Sequence, residues 1–419
     1  MNRKLRLLFL LLALMLTGSS FASTLYYVVD DIRYAANTVD NTAQVVSYGS
    51  YKSMTEINIP ASITADGVSY KVTSLGDSCF KGCTSLTSVK IPASVTALGD
   101  SCFNDCTSLE SITIPASVTK LGWCCFKGCT GLTSITIPNS VTSLGWYCFS
   151  GCTSLTSVNI GNSVTELGDG CFSGCTGLES LTIPNSVTEL GGWCFENCSS
   201  LTSITIPNSV TELPSVCFYG CTGLESLTIP NSVTELGNSC FYGCTSLASV
   251  NIPSSVTSLG GRCFENCASL TSITIPNSVT ELGKACFYGC TSLTRVYCLG
   301  TTPPSCNDYY TFENKASKTL YVPEESVDAY RSAMVWKDFG KIRPINTTGI
   351  KAVDMDKIDI AVEDGTIKLS NVPTNEPVSV YSTSGELLGS GKGNITVSAV
   401  SGQTIIVKVG TRSRKVLVK

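Results

Sequence analysis

Cysteine is the residue best placed to do chemistry in this sequence: it occurs 23 times, while histidine is absent. In LGWCCFKGCTG, residues 121–131, Cys124, Cys125 and Cys129 crowd into six positions. Such thiols can bind a metal, pair as disulfides, exchange electrons, or simply pack as small apolar groups. Twenty of the 23 fall into ten Cys-x-x-x-Cys pairs, from Cys79/Cys83 to Cys286/Cys290, and Phe follows each first cysteine. A zinc site needs four converging ligands, and each pair offers two thiols with no imidazole to complete the set. A dithiol redox centre uses Cys-x-x-Cys beside a strand–helix unit, which is missing. Disulfides stay open as an alternative, because rungs on neighbouring coils about 5 Å apart lie within bridging reach. Buried filler is the favoured reading, with some disulfides next and metal last. Cys124 falls on a variable surface position. Cys298 occupies a core position, and Cys306, eight residues on, makes the two a candidate disulfide.

Other side chains offer less chemistry and more surface. With no imidazole and no Gly-rich phosphate loop, the sequence has no catalytic constellation and calls for no cofactor. Glu166, Glu189, Glu212, Glu235 and Glu281 recur at one position, a solvated acidic row that a divalent cation could relieve. Serines from Ser88 to Ser272 recur at another and form an uncharged hydroxyl ladder. The aromatic departures stand out most. Trp123 and Trp146 share one variable position in adjacent units, with Tyr147 beside them and Trp193 one position later, two units on. Tyr219, Tyr242 and Tyr288 share a further variable position. Aromatic side chains on a variable face are enriched in binding surfaces, so Trp123, Trp146, Tyr147 and Trp193 are the candidate partner-binding residues; the alternative is that these rings lie flat over the turn and shield core residues.

All these positions belong to one frame. The Cys-Phe pairs align ten units of 23 residues, with Phe80, Phe103, Phe126 and so on to Phe287 in register. A typical unit reads LTSITIPNSVTELGxxCFxxCxx, with apolar residues at positions 1, 4, 6, 10, 13 and 18. Alternation over positions 3 to 6 predicts a short strand with one face buried. Pro at position 7 ends it, Gly at position 14 turns the chain, and CFxxC supplies one tight helical turn. One unit cannot bury its apolar side alone, but stacked units form a continuous core. The expected fold is mainly β: a right-handed leucine-rich-repeat solenoid of 23-residue coils with parallel strands, plus a small C-terminal β-sandwich domain.

LTSITIPNSVTELG followed by CF and C resembles the BspA-like leucine-rich-repeat family of bacterial surface proteins over about residues 54–345. That family commonly has Ala before the Phe, which suits a packing slot better than a ligand slot. Gly161 in place of Pro and Pro214 in place of Gly are two further departures. The resemblance implies adhesion or interaction with a host or cell surface.

The ends differ from the array. MNRKLRLLFLLLALMLTGSSFAS reads as a secretory signal, with basic Arg3, Lys4 and Arg6, an apolar core from Leu7 to Leu16 and a small-x-small site at Ser20–Ala22. Residues 24–48 predict capping strands around Asp30-Asp31, and ADGVSYK a hairpin. At the far end, Trp336 and Phe339 on a helix-like segment are placed to cover the last coil. Residues 355–419 read as short alternating strands with turns at Asp364-Gly365 and Ser384-Gly385. VYSTSGELL and the final GQTIIVKVGTRSRKVLVK resemble C-terminal sorting domains of the type IX secretion pathway, although Thr404 stands where Tyr is common there; the alternative is an accessory β-domain with no sorting role.

The expected organisation is signal peptide 1–22, N-terminal cap 23–70, ten repeats 71–300, C-terminal cap 301–346, linker 347–354 and β-domain 355–419. A formal charge of −4 argues against nucleic acid, and no second apolar run is long enough for a transmembrane segment. The sequence thus describes an exported, non-enzymatic scaffold, at the cell surface or secreted, that binds a protein or glycan at the cell exterior. Oligomeric state stays open. The competing reading is a periplasmic or cell-envelope structural protein with no specific ligand.

Overall fold

The computed structural model describes residues 24–306, 308–345, 359–363, 366–372, 377–382, 387–398, 404–409 and 412–417. The expected signal peptide and linker lie outside the described residues. Internal contacts divide the chain into two units, Met1–Pro344 and Ile345–Lys419.

Coils of the first unit hydrogen-bond to their neighbours along three stretches. Positions 3 to 5 form one set of parallel pairs, in separate sheets rather than a continuous ladder, as where Ser134–Thr136 pairs with Ser157–Asn159, residue for residue at a spacing of 23. Positions 12 and 13 form another, as where Ser143–Leu144 pairs with Glu166–Leu167. Alternation decides what each strand buries: in Ser134–Thr136 only the central Ile135 is buried. The third stretch is the Cys-Phe segment. It is not the helical turn expected from sequence, because its residues at positions 16 and 20 are left-handed. Cys124 and Gly128, for example, have φ of 53° and 72°. That backbone aims N–H groups along the stack, so Cys124, Phe126 and Gly128 donate to the carbonyls of Trp146, Cys148 and Ser150, each at 2.8 Å. Position 20 is therefore always Gly, Asn or Asp, the residues that tolerate this conformation.

Glycine at position 14 has a different reason from the turn assigned to it by sequence. A Cβ on Gly122 would lie 2.5 Å from the backbone nitrogen of Asp100 in the preceding coil. Successive coils simply approach too closely there for a side chain. Pro214 breaks this rule, with a local consequence. In most other coils the position-14 N–H donates to the position-13 carbonyl one coil back, as Gly237 does to Leu213 at 2.8 Å. Proline has no N–H to give. The second ladder is interrupted there, with Glu189–Leu190 ending one sheet and Glu212–Leu213 starting the next.

The core is a column of stacked rings. From Phe80 to Phe287 successive phenylalanines lie 5.2–5.8 Å apart. Around them the paired cysteines and the apolar residues at positions 1, 10 and 13 are buried. The column is closed at both ends. Tyr51 meets Phe80 at 5.0 Å. Phe312 continues the stack 5.1 Å from Phe287, and Trp336 and Phe339 then cover Phe312.

Both caps are extensions of the ladders. At the N-terminal end Thr24–Val29 and Ile32–Asn37 form a hairpin through left-handed Asp30 and Asp31, and Thr42–Val45 passes the pairing to Val68–Leu75 in parallel. The expected second hairpin joins Ser62–Ala65 to Val68–Leu75. At the other end the period breaks but the pairing does not: Arg295–Cys298, Thr319–Val322 and Lys341–Pro344 continue the parallel sheet. The result is a solenoid of about 12 turns. Val327–Ser332 is the α-helix of this cap, and Trp336 beyond it donates its indole N–H to the Pro304 carbonyl at 2.9 Å.

The second unit is antiparallel. Asp359–Glu363, Thr366–Ser370 and Ile395–Ser398 make one sheet, and Pro377–Ser382, Leu387–Lys392, Thr404–Val409 and Arg412–Leu417 make the other. Ile367, Leu369, Val378, Val380, Val397, Val407 and Val409 form a common apolar cluster. The expected turns at Asp364-Gly365 and Ser384-Gly385 lie outside the described residues.

The left-handed position 16 carries one misfit. Val216 sits there at φ 64°, where its branched Cβ is crowded by the backbone. Val216→Gly is expected to raise the thermal midpoint, stabilising by about 1 kcal/mol after glycine's own entropy is counted. A midpoint unchanged or lowered would show that the coil holds valine without strain.

Candidate functional site

All 23 cysteines are free thiols. Among the described residues no group of three or more His, Cys, Asp or Glu could hold a metal ion. The paired cysteines fill the space beside the Phe column, and in nine of the ten pairs the second also makes a bond. Cys129 Sγ donates to the Phe103 carbonyl one coil back at 3.1 Å, and the same contact recurs from Cys106 to Cys290 at 3.1–3.2 Å. This gives a reason for cysteine over alanine at that position: a thiol is small enough for the slot and adds a weak donor to a buried carbonyl. Cys298 and Cys306 are both buried and unbridged. Each has its own partner, since Cys298 Sγ lies 3.1 Å from the Tyr330 hydroxyl and Cys306 faces the Asp308 carbonyl. Only Cys124 is partly exposed.

The aromatic candidates divide. Trp123 and Trp146 stack with centroids 5.0 Å apart and planes 9° from parallel, and remain 53% and 48% exposed. Their register places them together, because equivalent positions of adjacent coils are neighbours along the axis. Tyr147 does not join them in the open. It is half-buried, with Lys127 Nζ 5.4 Å from its ring centroid. Its ring also occupies the space above Gly170, where a Cβ would come within 2.3 Å of it. The structure thus removes Tyr147 from the exposed strip and makes it a packing residue against the next coil. Trp193 is exposed but lies two coils away. Tyr219 and Tyr242 form a second stacked pair, 4.6 Å apart.

Position 15 has a role that sequence reasoning missed. Where it is Asp or Asn, the side chain accepts a backbone N–H from the next coil: Asp77 from Asp100, Asp100 from Trp123, Asp169 from Gly192 and Asn238 from Gly261, at 2.7–2.8 Å. Trp123 and Trp146 give up that bond for their mutual stack. Many hydroxyls are also engaged along the axis. Ser140 donates to the Val118 carbonyl at 2.5 Å and Thr165 to the Thr142 carbonyl at 3.2 Å, contacts that recur along the array. The serines at position 3 stay largely exposed on the strand face. That face has two shallow uncharged recesses of about 360 and 350 Å³, one around Asn159 and Thr182, the other around Thr113 and Thr136. Glu166 and Glu189, and Glu212 and Glu235, lie side by side in register.

A family model for the BspA type leucine rich repeat region matches in six copies over residues 47–179, 166–295 and 211–333. This chain belongs to the BspA-type leucine-rich-repeat family. No curated protein matches it significantly. Among solved structures it is similar to a leucine rich cell surface protein of Faecalibacterium prausnitzii, at 27% identity and TM-score 0.45, over 78% of this chain and 96% of that one. A leucine-rich repeat protein of Bacteroides ovatus is 28% identical, with TM-score 0.42, over 76% of this chain and all of that one. The pneumococcal vaccine antigen PcpA is 17% identical with TM-score 0.50, covering 78% of this chain and 100% of that one, a likeness of fold.

Burial of the thiols in this BspA-type array has a pH consequence. Desolvation pushes the thiols up, Cys83 to about 11, and others such as Cys102 and Cys125 well above the ordinary thiol value. As pH climbs, the unfolded chain therefore loses thiol protons before the folded one. Stability is fully present below the ordinary thiol value of 9.0 and is lost above it, for Cys83 up to about 11. Each blocked thiol steepens the loss by about 1.4 kcal/mol per pH unit, and many act together. Thermal midpoints are thus expected to be flat to about pH 8 and to collapse above the thiol range. In parallel, a thiol reagent should modify Cys124 in the folded protein and all 23 sites after denaturation without reductant. Near-zero titration of the denatured chain would mean oxidised ladders.

Proposed function

We propose that this BspA-type protein is an exported, non-enzymatic scaffold whose Trp123–Trp146 strip binds a protein partner at the cell exterior. One observation carries the reading: two exposed indoles stack on neighbouring coils at a position where sister coils place Asp, Asn, Gly, Ser or Lys. Nothing in the repeat's core calls for them. Aspartate at this position would add a cross-coil hydrogen bond, so the indoles forgo stability that a smaller side chain supplies. A protein fits better than a glycan. Each stacked ring covers part of the other's face, and what faces solvent is an apolar strip of ring edges suited to an aliphatic or aromatic side chain. Export rests on the signal-like first 22 residues, and delivery across an outer membrane on the sorting-domain resemblance of residues 355–419. Among the described residues no helix is long and apolar enough to cross a membrane.

The test is a double variant, Trp123→Asp with Trp146→Asp, screened beside the parent protein on immobilised extracellular-matrix proteins and on a glycan array. The parent is expected to bind a matrix protein, and the variant to bind it at least tenfold more weakly, a loss of about 2 kcal/mol or more. Its thermal midpoint should be unchanged or raised. Undiminished binding by the variant would contradict the proposal, as would a lower midpoint with intact binding.

A further inference from the structure

The C-terminal cap holds an aromatic recess unlike any surface of the regular coils. Tyr288, Tyr309 and Tyr310 line it together with Glu313, Lys315 and Asp338, around a volume of about 390 Å³. The stacked pairs elsewhere lie plane to plane, but these rings stand at right angles: Tyr288 to Tyr310 at 81° and Tyr309 to Tyr310 at 89°, each with centroids 6.2 Å apart. Edge-on contact leaves ring faces open apart from the Tyr309 face that Lys315 covers, and Tyr309 and Tyr310 are 60% and 61% exposed. Large exposed aromatics of this kind contribute nothing to closing the Phe column, a task done by Phe312, Trp336 and Phe339.

The charges around the rings point to the occupant. Lys315 is buried, and its ammonium serves the fold. It donates to the Tyr309 carbonyl at 2.6 Å and the Phe312 carbonyl at 3.3 Å, and it lies 3.7 Å from the Tyr309 ring centroid. That contact demonstrates within the same recess that a tyrosine face here accepts an ammonium. Glu313 and Asp338 are the other charged groups of the lining. Neither is in a side-chain ion pair within 4.0 Å among the described residues. Two carboxylates against one internally bonded ammonium leave the lining itself net negative, while the Lys318 ammonium lies buried behind it near Glu313 and is bonded to the Leu293 carbonyl. Open ring faces combined with acidic groups select a positive group over a neutral sugar, which would gain from the faces but not from the charge.

We infer that the recess formed by Tyr288, Tyr309, Tyr310, Glu313 and Asp338 binds the cationic side chain of a lysine or arginine on a protein partner. The site lies in coils other than those of the Trp123–Trp146 strip, and either could fail without the other. The test is ligand-observed saturation-transfer NMR on the full-length protein. The probes are Nα-acetyl-lysine methylamide, Nα-acetyl-arginine methylamide, the uncharged Nα-acetyl-norleucine methylamide, and methyl glucoside. The two cationic probes are expected to bind, at least tenfold more tightly than norleucine, and to weaken as salt is raised. Glu313→Gln with Asp338→Asn should remove that preference while leaving thermal unfolding intact. Tyr309→Phe, which keeps the ring, should retain it. Equal binding of norleucine, preference for the glucoside, or a cationic preference that survives the double amide variant would each overturn the assignment.

Discussion

Every coil of this protein is completed by the next one, and the fixed 23-residue register is the constraint from which the rest follows. A single coil could neither bury its phenylalanine nor satisfy the N–H groups that its left-handed residues point along the axis. Stacking does both at once. Phe126 is covered on both faces by Phe103 and Phe149, while its N–H reaches the Cys148 carbonyl. Close approach at position 14 then excludes a side chain, and the thiol bond from Cys129 to Phe103 exists only because the neighbour is in step. The ends show the same logic. The last regular coil has N–H groups with no further repeat to receive them, and the cap supplies acceptors: Asp308 takes the Ala285 N–H at 2.8 Å, and the Thr311 carbonyl takes that of Phe287.

Such a frame leaves few positions free, and those are where individuality appears. Positions 15, 16 and 19 lie on the outer side of the Cys-Phe segment, and their side chains differ from coil to coil. Some of that freedom is used for the fold, as when Asp100 and Asp169 tie one coil to the next, or Tyr147 covers Gly170. The remainder is available for contact, as with the Trp123–Trp146 pair. A stiff array suits this use, because the backbone that holds two indoles at 5.0 Å is fixed on both sides by identical coils. Pro214 is where that stiffness is locally relaxed: the Trp193 N–H reaches the Ser215 carbonyl at 3.3 Å, where neighbouring coils hold the equivalent bond at 2.7–2.8 Å.

What depends on one coil was legible in the sequence. Strand alternation, the buried positions, the two N-terminal hairpins and the covering role of Trp336 and Phe339 all follow from local pattern and turn chemistry. Their partners are near in sequence or identical in every unit. What depends on how two coils meet was not legible. The reasons for Gly122, for Asp100 and for the hydroxyls of Ser140 and Thr165 lie 22 or 23 residues away, and reading one unit cannot show them. A signal was nonetheless present: exposed serine and threonine recurring at the same positions of unit after unit exceeds what a solvated surface needs. The helical reading of CFxxC failed because Gly, Asn and Asp at position 20 mark a left-handed residue, and that mark outweighs the i, i+4 spacing. Tyr147 was misplaced as exposed because its cover, Gly170, belongs to the following coil.

The most direct test of this account is a pair of internal deletions read by thermal unfolding. Removing residues 224–246 takes out one whole 23-residue unit and joins Gly223 to Leu247 in step. Removing 224–245 leaves one residue extra and puts the coil after the junction out of register with the coil before it. If cross-coil register is what holds the molecule together, the first variant keeps a single cooperative transition with a slightly lower midpoint, as expected of a shorter array. The second loses cooperativity or falls far lower. Equal unfolding of the two deletions would contradict the account, since the coils would then stand independently of the ladders that join them.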